Sequence, residues 1–206
     1  MDLRMASGAQ ALIAELDASL ANRSNEQQFS MLRQVCDLFL THAPACQAEQ
    51  VSVFGDVMIR LMVTAPRDGL IELSVKLAPV DNAPSNVARR LASDNDMAIA
   101  EPILTKSNAL TDEVLAAIIA EKGGSHLKAV LKRDSIGKAV TDVLLDQKDP
   151  RELLYKLARN NDVRFSEVGI VKLVYAAKND KALAEIVLGR KDLPAEMLPF
   201  LKMASG

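Results

Sequence analysis

Tryptophan is absent from this 206-residue chain, and Phe and Tyr bring the aromatic share to only 3%. Sheet sandwiches usually carry more Tyr, Trp and Thr on their paired strands, whereas a core of Leu, Ala, Ile and Val suits close-packed helices. Two cysteines, Cys36 and Cys46, are too few for a disulfide framework and point to reduced thiols. With only two histidines, chemistries that gather several are nearly excluded. No apolar run approaches the roughly 18–20 residues of a membrane span; the longest, Val114–Ala120, has seven. The opening MDLRMASGAQ lacks the apolar centre of a secretory signal. These absences predict a cytoplasmic protein with no membrane partner. The chain also lacks GxGxxG, P-loop, GxSxG, HExxH and paired CxxC patterns. A non-catalytic role is favoured, without cofactor or metal, although a carboxylate-based enzyme stays open.

What is present is a balanced, aliphatic chain. Hydrophobic residues make up 49% and the formal net charge is −2, with acids and bases interleaved. The length suffices for one domain, or two small ones, with a real core. The charge balance disfavours a dedicated nucleic-acid or membrane-surface protein.

Helix signals follow one another along the chain. Ser7–Gln10 and Ser24–Gln27 both carry the capping-box pattern. Leu12, Ile13, Leu16 and Leu20 follow the first; Phe29, Leu32, Val35, Cys36, Phe39 and Leu40 follow the second. So short a join predicts an antiparallel hairpin over residues 8–49. Periodicity resumes at Val51, stops at Ala65-Pro66, and restarts through Leu70, Leu73 and Leu77. Pro84 suits another helix start, Asp96 a cap, and Pro102 a bend or early break. Thr111 caps the next helix and Gly123-Gly124 ends it. Further helices are predicted from Ser125, over 136–145, after Asp149-Pro150, over 163–176, over 181–188 and from Pro194.

Part of the chain occurs twice. RRLASDNDMAIAEPILTKSN (89–108) is echoed 66 residues later: Leu91-Ala92 by Leu157-Ala158, Asn95-Asp96 by Asn161-Asp162, Ile99 by Phe165, Glu101 by Glu167. A weaker echo pairs Val130-Leu-Lys-Arg133 with Val187-Leu-Gly-Arg190. Short helices, tight turns and internal repetition predict an all-α fold, an α-solenoid of short antiparallel helix pairs forming a HEAT/armadillo-like superhelix. The expected organisation is a single helical-repeat domain over 1–206, with the hairpin at 8–49 and the array at 50–203.

Several phrases in order carry a resemblance: Asp37-Leu-Phe-Leu40, Phe54-Gly-Asp-Val57, Asn82-Ala-Pro84, Leu91-Ala92 before Asp-Asn-Asp, Ala100-Glu-Pro102, and His126 followed by Arg133. From about Phe29 onward the chain resembles an alphaproteobacterial family of uncharacterised proteins, a domain of unknown function with HEAT-like helical repeats. The resemblance implies an all-helical fold in a bacterial cytoplasm and supplies no reaction.

Five residues are candidate binding positions. His126 and Arg133 are seven apart, which on one helix places them on one face as a ligand-reading or proton-handling pair; the plainer reading is a packed His and a bridging Arg. Glu101 and Glu167 recur in the echo and can form an acidic stripe, or simply repeat a structural acid. Lys132 centres a basic cluster with Lys128, Arg133 and Lys138, suited to nucleic acid or to a solvated face. The Asp94–Asp96 and Asn160–Asp162 turns lack EF-hand spacing and read as caps. Cys36, His42 and Cys46 lack a fourth ligand for zinc.

The leading expectation is a protein–protein interaction or scaffold module whose partner is another protein. The alternatives are a nucleic-acid binder using a basic concave face, and a small-ligand sensor or enzyme centred on His126 and Arg133.

Overall fold

The computed structural model describes residues 24–146 and 151–205. The helix expected around Leu12–Leu20, its Ser7–Gln10 cap and the Asp149-Pro150 helix start lie outside the described residues. The chain divides into two compact units, Met1–Leu110 and Thr111–Gly206. The first holds α1 (Asn25–His42), α2 (Ala48–Met62), α3 (Arg67–Leu77), α4 (Ser85–Ala92) and α5 (Met97–Lys106). The second holds α6 (Asp112–Lys122), α7 (Gly124–Val130), α8 (Lys138–Leu145), α9 (Arg151–Arg159), α10 (Glu167–Ala177), α11 (Lys181–Leu188) and α12 (Leu198–Ser205). The protein is all-α: among the described residues the only β pairing is one isolated parallel bridge, Ile136 to Val163. No described helix is long and apolar enough to cross a membrane.

Local signals mark several helix starts. The Ser24–Gln27 capping box is formed in both directions, at 3.3 and 3.1 Å. Asp96 accepts the Ala98 N–H at 3.0 Å and opens α5. Ser166 accepts the Gly169 N–H at 2.9 Å and Asp180 the Leu183 N–H at 3.2 Å, opening α10 and α11. Gly123, at φ +60°, ends α6 in a conformation that strains any side chain. Pro102 does not break α5, which continues to Lys106. In the turn ahead of it, the Ile99 carbonyl accepts a buried 2.6 Å hydrogen bond from Ser74 Oγ on α3.

Most of these helices span 7 to 11 residues, too short to persist alone in water. They persist by packing in a fixed order. In the first unit the packed pairs are α1–α2, α1–α3, α2–α4, α3–α4, α3–α5 and α4–α5. In the second they are α6–α7, α6–α8, α8–α9, α8–α10, α9–α11, α10–α11, α10–α12 and α11–α12. Every one of these pairs joins a helix to the next or to the next but one. The buried faces are aliphatic: Leu91, Ile103 and Leu104 in the first unit, Ile119, Leu144, Leu157 and Leu173 in the second. Each such side chain stabilises by about 1.5–3 kcal/mol relative to exposure.

The echoed phrases diverge after their turns. Leu91-Ala92 and Leu157-Ala158 are buried alike. The turns match too: Asp94 Oδ1 accepts the Asp96 N–H, and Asn160 Oδ1 accepts the Asp162 N–H, both at 2.9 Å. Beyond Asp96 the helix begins at once. Beyond Asp162 the chain stays non-helical through Phe165, and α10 begins only at Glu167, later than the helix expected from residue 163. The Arg164 N–H donates to the Ile136 carbonyl at 2.7 Å, and Val163 and Phe165 are buried. Tertiary bonding there replaces the helical ladder.

The α8 start depends on a residue of another helix. Asp112, the first residue of α6, accepts the Ala139 N–H at 2.6 Å, serving as a cap supplied from outside. Gly137 permits this, since a Cβ there would collide with the Asp112 carboxylate. Gly137→Ala is expected to cost about 1–3 kcal/mol by overpacking, measured by urea unfolding. In an Asp112→Ala background the same change should cost little, because the colliding group is gone.

Candidate functional site

The structure places the two candidate residues that spacing had aligned on different elements. His126 is buried near the start of α7, at 5% exposure. Helix α7 ends at Val130, so Arg133 lies beyond it in a turn, its N–H donating to the Val130 carbonyl at 3.0 Å. The expectation of one shared helical face is therefore corrected: the helix is too short to carry both. Arg133 is half-buried, and burial pulls its guanidinium pKa down against the opposing pull of Asp112 and Asp134. Glu101 belongs to the first unit, while His126 and Arg133 belong to the second.

Glu101 and Glu167 occupy different places in their helices. Glu101 sits in mid-α5 and is half-buried; Glu167 is the first residue of α10 and is exposed. The delayed start of α10 accounts for the mismatch. Lys132, Lys128 and Lys138 are exposed, as is Asp134 beside them.

Cys36 lies on the buried face of α1, and burial pushes its thiol up to about 11. A thiol so held is protonated at neutral pH and is a poor metal ligand. His42 is exposed at the end of α1 and Cys46 is half-buried. No three His, Cys, Asp or Glu side chains gather for an ion among the described residues.

Two features escaped residue-by-residue reading. The first is Arg190, whose side chain is 3% exposed. Its guanidinium donates to the carbonyls of Leu157, Ala158, Asn160 and Val163 at 3.3, 3.1, 2.8 and 2.9 Å. It pairs with both oxygens of Asp192 at 2.9 Å and lies 4.7 Å over the Phe165 ring. This one side chain receives the carbonyl end of α9 and holds the non-helical segment after it. The weaker echo was its signal: Arg133 and Arg190 both donate their N–H to the Val three residues back, at 3.0 and 3.1 Å.

The second is an exposed apolar stripe on α10. Val168, Val171 and Tyr175 are 62%, 50% and 77% exposed. Their spacing sets them on one side of the helix, while Leu173, Val174 and Ala177 are buried. Beside the Ile136–Val163 bridge lies a polar recess of about 350 Å³, lined by Asp134, Ser135, Gly137, Asp162 and Arg164.

Arg190→Met is expected to destabilise on the order of 3 kcal/mol, leaving buried carbonyls and Asp192 unpaired. Arg190→Lys should not restore this, since an ammonium cannot reproduce the planar fork. The hydrogen bonds from Arg190 also hold the Asp192 carboxyl below the usual carboxylate range. That contribution is complete above the ordinary Asp pKa of about 3.9 and is lost as pH falls through the lower folded value. Unfolding followed from pH 7 to acid should show Asp192→Asn losing less stability than wild type below about pH 4.

Comparison with known proteins gives a family and no activity. No curated protein and no solved structure matches the chain. A family model described as an uncharacterised protein conserved in bacteria (DUF2336) matches residues 99–202, from α5 into α12. That match takes in just over half of the sequence, and the chain belongs to this bacterial family.

Proposed function

We propose that the chain is a non-catalytic protein-interaction module of the bacterial cytoplasm, built as a HEAT-like α-solenoid. Packing order supports the architecture: within each unit, packed pairs join a helix to the next or to the next but one, as in stacked hairpins. The duplicated Leu-Ala faces and Asx turns support repetition of a common unit.

The observation that carries the interaction reading is the α10 stripe. Val168, Val171 and Tyr175 present apolar surface where a soluble helix normally places charge. Tyrosine in particular supplies a large contact area at low entropic cost. Exposed Glu167 adjoins the stripe and supplies a polar edge. The binding role extends to affinity and positioning, with no covalent step. Exposed Lys132 and its neighbours have Asp134 beside them and no adjoining aromatic, a weaker basis for nucleic acid.

Affinity capture from a native bacterium tests the reading. The tagged full-length protein should retain one protein partner near equal stoichiometry. A Val171→Glu, Tyr175→Glu variant with unchanged helicity and melting temperature should retain at least about tenfold less. Equal retention by the folded variant would contradict the α10 site. Repeated absence of any stoichiometric protein partner would contradict the module itself.

A further inference from the structure

The exposed face of α10 carries charge as well as apolar surface, and the charge bears on which partner the interaction reading above calls for. At about 100° of turn per residue, Glu167, Val168, Val171, Tyr175 and Lys178 fall within an arc of about 100°. All five are exposed. Lys178 follows the last residue of α10 and keeps helical angles, φ −56° and ψ −32°. The arc therefore begins with a carboxylate, ends with an ammonium and is apolar between them. Lys172 lies off the arc and is paired with Asp146. Among the described residues, neither Glu167 nor Lys178 forms an ion pair.

Such a face complements itself when a copy is turned end for end. An isologous two-fold pairing uses the same patch on both subunits. Here it runs the two α10 helices antiparallel, with the axis level with the midpoint of Glu167 and Lys178. Each Glu167 then lies level with Lys178 of the partner copy, twice per dimer. The two charged residues share one edge of the arc, while Val168 and Tyr175 share the other. The rotation keeps each edge on its own side, so the ion pairs border an apolar seam. With a rise of about 1.5 Å per residue, Tyr175 falls about 1.5 Å along the axis from the partner's Val171. By the same rise, Val168 falls about 3 Å from the partner's Tyr175. A parallel pairing instead sets Glu167 on Glu167 and Lys178 on Lys178, which like-charge repulsion opposes.

We propose that the occupant of the α10 face is a second copy of this chain. It docks antiparallel about a two-fold axis, with Val171 and Tyr175 interlocked and a Glu167–Lys178 ion pair at each end. This rests on the α10 interaction reading and names its partner.

Sedimentation velocity on the full-length chain, from about 1 to 200 μM, tests this. Wild type should form a dimer. Glu167→Lys and Lys178→Glu each turn both ion pairs into like-charge contacts and should weaken the dimer at least about tenfold. An equal mixture of the two variants restores opposite charges at both ends. The mixed dimer should form within about threefold of wild-type affinity. Both positions are exposed, so circular dichroism should show unchanged helicity, and only folded chains can recover on mixing. A wild-type chain that stays monomeric, single variants that dimerise like wild type, or a mixture that fails to recover would each overturn the proposal. So would a dimer that Val171→Glu, Tyr175→Glu leaves intact. The interaction reading fails separately: it survives a monomeric wild type if that double variant loses a captured partner of different sequence.

Discussion

Short helices cannot hold their own ends, and the protein meets this constraint by fixing helix starts from the helix two positions earlier. Arg67 at the head of α3 pairs with Asp96, the cap of α5. Asp112 of α6 caps α8. Asp142 of α8 accepts the Ser166 hydroxyl at 2.7 Å, orienting the cap of α10. Tyr155 and Arg151 of α9 donate to Asp180, the cap of α11, at 2.5 and 3.3 Å. Asp56 of α2 accepts from Asn86 in the first turn of α4 at 3.1 Å. These side-chain bonds join helices two positions apart, so five of the packed pairs also carry a bond at a helix start. The capping carboxylates titrate accordingly: hydrogen bonds from Arg67 and from Tyr155 hold Asp96 and Asp180 below the ordinary carboxylate range.

This arrangement assigns structural work to polar groups of the types that also carry chemistry. Arg190 receives carbonyls, Asp112 and Asp180 cap helices, and Cys36 fills core. Surface that the packing order leaves unused is therefore informative. On α10 that surface is apolar and aromatic, formed by Val168, Val171 and Tyr175.

Local features were legible in the sequence, and long-range ones were not. The Ser24 box, the Asp96 and Thr111 caps, and the Gly123 stop depend on residues a few positions apart, and spacing reveals them. Asp112 carries no such local signal, because its capping of α8 depends on a residue 27 positions away. The segment 163–165 carries helix-compatible residues, yet the Ile136 carbonyl and Arg190 offer its backbone better partners. The same override displaced Glu167 from its expected match with Glu101. Arg190 lay within a noticed echo, but no local pattern distinguishes a buried carbonyl clamp from a surface arginine. His126 and Arg133 were paired by spacing alone, and α7 ends before it reaches Arg133.

A double-mutant cycle on Tyr155 and Asp180 tests most directly whether helix starts are fixed from two helices away. Tyr155→Phe and Asp180→Ala are made singly and together, and unfolding free energies are compared. A coupling of about 1–2 kcal/mol is predicted, since the phenol and the cap act as one unit. Additive effects, with coupling below about 0.3 kcal/mol, would contradict the account and leave each helix start to its own local cap.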